Sequence, residues 1–448
     1  MKRIGKHMIA AMLGIMLMLS TIVPAIQAEE STPDISTWAL ETLNEGEKYG
    51  IFPTQWYYEG FTSEVSIERV NELIALTEKK IAALELPKNK KYSPISYKGD
   101  TTRGDIINRL YNIVASYDLP VGKDAVAYMT ERKILQGSSN GLGLKEKATT
   151  QHAVVLAVRL VKDTFDLAQQ GSKGVAWVVE DEDTKVYLLG SIHVGTPDLY
   201  PINKKLLTAF DEADALLVEA NVVDEKDLEY FTGKAMYADG ITLRDNVSAE
   251  TYEKIEKVAQ QYQLPMEQLV IQKPWALSST LSFLAADETI GLSPQEMAMH
   301  GIDTYFLSNA LLQEKPIIEL EGVKAQADML DGLSPEAQEQ YLVATVDSIL
   351  EPSAESEYDM MQEWFSSWKK GEILAFAESF KEMEGETSEF NEMLFGLRDE
   401  QMAKKIVSLL EDEKGKYFVV VGAGHFAIEK SIRYHLEQSG YDVEPFYQ

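Results

Sequence analysis

The chain has 448 residues, of which 42 are Lys or Arg, 72 are Asp or Glu and none is Cys, for a formal net charge of -30. A hydrophobic share of 45% argues against disorder, and the acidic excess would repel a phosphate backbone, so nucleic acid is excluded as a partner. Absence of cysteine removes disulfides, thiolate metal sites and cysteine nucleophiles together. The negative charge is spread along the chain, as suits an acidic surface in cation-rich or cell-wall surroundings.

Lys2, Arg3 and Lys6 precede an apolar run from Met8 to Leu19, too short for a bilayer span of about 20 residues, with small residues after it. The pattern predicts a signal peptide over 1–28, cut after Ala28 or Ala25, with an uncleaved anchor as the alternative. No later segment reads as membrane-spanning, so a secreted, cell-wall-associated location is expected.

Helical spacing follows in Trp38, Leu40 and Leu43, in Ile67, Val70, Leu73 and Ile74, in Ile106, Ile107, Leu110, Ile113 and Val114, and in Val154, Val155 and Val158. Three of these helices begin after related phrases, at Ser66, Thr102 and Thr149, where a hydroxyl can cap the first turn. Polar breaks at Leu86–Pro94 and Gln169–Gly174 bound the segments, giving a helical module over 29–170 and a second domain over 174–448.

From Val175 the rhythm becomes that of strands. Val175–Val179 and Val186–Leu189 read as a hairpin, Asn203–Ala213 as a crossover helix, and Ala215–Val218 as a buried parallel strand. A long helical middle follows, with helices expected after Ser248 and Ser334 and around Trp364 and Phe376. Tyr417–Val421 is a further buried strand, Phe426–Gln438 a helix, and Tyr441–Val443 a last strand. The expected fold is mixed α/β: a central mixed sheet with crossover helices and a large helical insertion, preceded by the small helical module.

Three phrases put catalytic residue types at strand ends: Gly190-Ser191-Ile192-His193, Glu219, and Gly422-Ala423-Gly424-His425. Ligands of open parallel sheets bind there. If the strands before His193 and Glu219 are neighbours, about 4.8 Å apart, an imidazole and a carboxylate share one small volume. With His425 they form a two-histidine, one-carboxylate set, suited to a divalent metal that polarises a carbonyl and activates water. Each phrase also has a plainer reading, as a chance spacing, a surface acid or a helix cap. Of the six histidines, His7 falls in the leader, and His152, His300 and His435 read as packed, loop and helix residues.

Two resemblances extend this reading. Trp38-Ala39, Tyr49-Gly50-Ile51-Phe52, Ala127–Gly137 and Ala148-Thr149-Thr150 resemble tandem S-layer homology repeats over about 34–165, with the threonine-arginine pair kept at Thr102-Arg103. That resemblance implies a cell-wall polymer as partner of 29–170; a helical accessory bundle is the alternative. Tyr187–Gly195, Pro201, Val218-Glu219, Lys273-Pro274-Trp275, Gly301-Ile302-Asp303, Glu319-Leu320-Glu321 with Gln326, Arg398-Asp399 and Val420–His425 resemble the TraB/GumN family over about 174–448. TIKI-type metalloproteases are among its relatives.

The resemblance implies a hydrolase that acts on a peptide or protein substrate and depends on a divalent ion, manganese, cobalt or zinc. His193, Glu219 and His425 would hold the ion or the attacking water, with Glu219 as alternative general base. Arg398 would stabilise charge, or form a helix-surface ion pair. Asp303 and Glu321 would support the histidines or act as caps, and Ser191 would donate to a bound oxygen. The rival reading is a binding protein of the cell wall that holds peptide or metal without turnover.

Overall fold

A computed structural model of the chain describes residues 32–137, 141–222, 224–282, 292–351, 357–378 and 389–447. The signal peptide expected over 1–28 lies outside the described residues. Two compact units form, one from Ala25–Ser172 with Pro197–Leu207, the other from Lys173–Thr196 with Thr208–Gln448. Among the described residues, no helix is long and apolar enough to cross a membrane.

The first unit is helical, with principal helices Leu40–Gly46, Ile67–Ala82, Arg103–Ala115, Ala125–Glu131 and Thr150–Leu167. Thr150–Leu167 buries Val154, Val155, Leu156, Ala157 and Val158 in succession, so apolar side chains cover it on every side, as a central helix requires. Ser66, Thr102 and Thr149 each accept a hydrogen bond from the backbone N–H three residues on, which satisfies one orphan donor per helix. The three related phrases also meet. Val65 N donates to Ala148 O at 2.9 Å, and Ala148 N to Thr101 O at 2.9 Å.

The second unit is built on a six-stranded sheet of order β4-β3-β5-β2-β1-β6. Its strands are β1 (Val175–Glu180), β2 (Thr184–Ser191), β3 (Ala215–Val218), β4 (Ile317–Glu319), β5 (Gly415–Gly422) and β6 (Glu444–Pro445). β1 and β2 form the expected antiparallel hairpin; β2, β5, β3 and β4 run parallel, with helical crossovers. All four residues of β3 and the last six of β5 are buried, which is why both read as unbroken apolar runs.

An aromatic trio seats one crossover helix. Phe306, from Ile302–Leu312, packs 5.0 Å from Phe418 of β5 and 5.1 Å from Phe210, ring centre to ring centre. Because Asp303 lies one turn earlier on that helix, this packing carries it to the carboxyl ends of the parallel strands.

Several expectations needed revision. β5 lies between β2 and β3, so the strands before His193 and Glu219 are not neighbours. β4 was not anticipated: three residues after Pro316 are too few to display a period. The expected helix Phe426–Gln438 is two helices, Gly424–Ala427 and Ile432–Gln438, because Ile428 is extended and Ser431 caps a new start. The last strand is Glu444–Pro445, just beyond Tyr441–Val443.

Candidate functional site

The site forms over a missing side chain. Gly422 ends β5 in register with Ser191 of β2, while Val420 pairs with Val218 of β3. A Cβ at Gly422 would lie 3.1 Å from Glu219 Oε1 and 3.1 Å from His193 Nε2. The carboxylate and the imidazole, one strand away on either side, therefore meet above the glycine. The Gly422 N–H also donates to Glu219 Oε1 at 2.7 Å.

His193 is held from its other side. Its Nδ1–H donates to Asp303 Oδ2 at 2.7 Å, and Ser191 Oγ–H donates to Asp303 Oδ1 at 2.7 Å. Backbone contacts fix the same corner: Ile302 N to Ile192 O at 2.9 Å and Gly195 N to Met297 O at 2.9 Å. A Cβ on Gly301 would stand 2.1 Å from His193 O, so only glycine allows this approach. From behind, Trp368 Nε1–H donates to Gly190 O at 2.6 Å.

Glu219 is 5% exposed and lies among basic side chains. His425 Nε2 is 3.5 Å from its Oε1 and Arg398 Nη2 3.5 Å from its Oε2. Arg398, 7% exposed, is itself gripped by Glu321 through two bonds of 2.7 Å and donates from Nη1 to Leu394 O. His425 Nδ1–H donates to Asp399 Oδ1 at 3.0 Å, and its ring packs edge-on against Phe395. Gln326 Nε2 donates to Glu321 at 2.8 Å.

Charge dominates this cluster. Burial pushes the Glu219 carboxyl up, but His425, Arg398 and His193, with the Gly422 N–H, outweigh it and hold the group at about 2. Burial pushes His193 down, and Asp303 with Glu219 overcomes this to raise it to about 9. Burial likewise lowers Arg398, while Glu321 and Glu219 raise it further.

All seven residues singled out in the sequence, Ser191, His193, Glu219, Asp303, Glu321, Arg398 and His425, thus fall in one network. Two contacts differ from expectation. Glu321 meets Arg398 rather than an imidazole, and the carboxylate behind His425 is Asp399, a residue passed over as the neighbour of Arg398. Its spacing carried a signal: on a helix starting at Leu397, Arg398 and Asp399 are both buried in the first turn. Arg398 is accordingly no surface ion pair. His300 lies apart, with Nδ1 at 2.6 Å from Glu296 O.

The donor chemistry fits a divalent ion: each imidazole keeps Nδ1 on a carboxylate and turns Nε2 toward Glu219, around a space that a Cβ at Gly422 would fill. The spacing is nevertheless that of a hydrogen-bonded cluster. Among the described residues, no group of three or more His, Asp or Glu side chains is arranged to hold a metal.

Comparison with known proteins places the sheet domain. The sequence profile of the TraB/PrgY/gumN family matches residues 175–445. The chain belongs to that family. YbaP of Escherichia coli K12, described as an uncharacterized protein, is 28% identical over 242 residues, covering 53% of this chain and 83% of its own length. YbaP of Shigella flexneri matches to the same extent. No solved structure matches the chain. The TraB/PrgY/gumN match takes in the whole strand-end cluster, from Ser191 to His425.

Two measurements test this geometry. Gly422→Ala is expected to lower stability by about 1–3 kcal/mol by displacing Glu219 or His193, whereas Gly233→Ala, with nothing within 4 Å of the new Cβ, stays neutral or gains; urea unfolding reads both. In chelator-treated protein, the stability His193 contributes is full below its ordinary 6.5 and is lost as pH rises through about 9. The unfolding difference between wild type and His193→Gln should therefore shrink over that interval. For Glu219→Gln the sign reverses, with the difference present above 4.5 and fading as pH falls toward about 2.

Proposed function

We propose that the sheet domain is a metal-dependent hydrolase acting on peptide bonds. The carrying observation is the convergence of two carboxylate-backed imidazoles, His193 and His425, on the buried Glu219 at the carboxyl ends of parallel strands. His193, Glu219 and His425 would hold the ion, which when bound supplies Lewis acidity toward a carbonyl and a lowered pKa for water. Manganese, cobalt and zinc are the candidates.

The assignment of roles follows from charge. A carboxyl held at about 2 has little affinity for a proton at neutral pH, so Glu219 serves as an anionic anchor rather than as general base. Arg398, with its fork on Glu321, keeps Glu219 ionised and contributes fixed positive charge beside the reacting groups.

The rival, a protein that binds peptide without turnover, takes support from the saturated state of the cluster, in which Glu219, Glu321, Asp303 and Asp399 all have partners. The deciding experiment incubates the full chain with a peptide library, untreated, after chelation, and after return of manganese, cobalt or zinc. Cleavage that disappears on chelation, returns with metal, and falls by more than about a hundredfold in His193→Ala and His425→Ala is expected. Cleavage unaffected by chelator and by His193→Ala overturns the mechanism; saturable binding without product favours the rival.

We further propose that the chain is exported and that its helical unit binds a cell-wall polymer. Support comes from a cavity of 450 Å³ in that unit, lined by Trp38, Arg103, Gln136, His152 and Arg159. Trp38 is 51% exposed and stacks on His152 at 5.6 Å, offering a flat apolar face beside two guanidinium groups. Purified wall polymer should retain the wild-type chain and release Trp38→Ala; equal recovery of the two, or retention of neither, counts against polymer binding at this cavity.

A further inference from the structure

The two imidazoles of the site are backed differently. Behind His425, the carboxylate of Asp399 accepts from a backbone group, the Gly396 N–H at 3.0 Å, and is fixed by the capping geometry of its own helix. Behind His193, the second oxygen of Asp303 is taken by a side chain, Ser191 Oγ, at 2.7 Å. Ser191 and His193 flank Ile192 at the end of β2, while Asp303 comes from the start of a distant helix.

We propose that Ser191 and Asp303 form a clamp that sets the orientation of the His193 ring and keeps Nε2 aimed at the space above Gly422. They are positioning residues. The geometry carries this in three steps. A carboxylate held by one contact can rotate about its χ2 torsion, whereas one whose two oxygens accept from two donors on the same strand end cannot do so without losing a bond. The Ser191 hydroxyl has a single proton, and donating it to Asp303 leaves none for a ligand, which removes Ser191 as donor to a bound oxygen. Finally, Ile302 N to Ile192 O, at 2.9 Å, ties the helix carrying Asp303 to the residue between the two it holds, so the clamp and its target move together.

The pair of imidazoles supplies an internal control, because Ser191 touches one support and not the other. A ring N–H donating to a buried carboxylate gives a downfield proton resonance that exchanges slowly. In metal-free full-length protein, the His193 resonance is assigned by its loss in His193→Gln, and that of His425 likewise. In Asp303→Asn the His193 signal should be lost; in Ser191→Ala it should shift or broaden while the His425 signal stays in place; Ser191→Thr, which keeps the hydroxyl, should restore it.

A second arm titrates cobalt(II) into the same variants and follows its visible absorption. This arm alone rests on the metal-dependent reading. Affinity is expected to fall about 10- to 100-fold in Asp303→Asn and less in Ser191→Ala, with far-UV circular dichroism confirming that both variants are folded at the titration temperature. A His193 resonance unchanged in both Asp303→Asn and Ser191→Ala overturns the clamp, as does equal perturbation of both histidines by Ser191→Ala. If wild type binds no cobalt(II) while the resonances behave as described, the clamp stands and the metal reading falls.

Discussion

Burying an ionised carboxylate costs several kcal/mol unless opposite charge and hydrogen bonds compensate, and Glu219 meets that condition at 5% exposure. Much of the architecture around it follows as compensation. Arg398 and His193 bring positive charge, the His425 ring lies 3.5 Å away, and the Gly422 N–H brings a direct bond. Those groups are buried in turn and their N–H donors require their own acceptors, which Glu321, Asp303 and Asp399 supply. The result is a central acid, a shell of positive or ring N–H groups, and an outer shell of acids, each layer made necessary by the one inside it.

The sheet makes this layering sterically feasible. With β5 between β2 and β3, side chains from the two flanking strands would ordinarily be kept apart by whatever residue ends the central one. Glycine at 422 lets Glu219 and His193 close over it, and the same strand then turns to deliver His425 from its own end. Gly301 plays the matching part outside the sheet, admitting a helix start against the His193 carbonyl. Close backbone approach at two glycines, rather than a large cavity, creates the site.

The helical unit rests on a simpler rule. Three extended phrases, each ending in a capping hydroxyl, meet through backbone bonds and launch helices around the buried Thr150–Leu167. Its cavity joins an exposed aromatic face to guanidinium groups, a surface of different chemistry from the ion-pair cluster of the sheet domain. The two units thus draw on distinct physical resources, an exposed ring beside guanidinium groups in one and compensated burial of charge in the other.

Local sequence settled whatever depends on neighbours within a few positions. Capping hydroxyls at Ser66, Thr102, Thr149, Ser248 and Ser334 announced helices, and unbroken apolar runs announced β3 and β5 as buried strands. Glycine-histidine phrases at the ends of strands marked the place where the buried ion-pair cluster forms, because each lies immediately after a buried apolar run. Strand order and the pairing of side chains from different elements were not legible, because period and propensity carry no term for which strand enters between two others. Only the folded sheet put β5 in the middle, gave Glu321 to Arg398 and gave Asp399 to His425. Those pairings are decided by where buried charges find their nearest compensation in space, a quantity that exists only once the chain has closed around them.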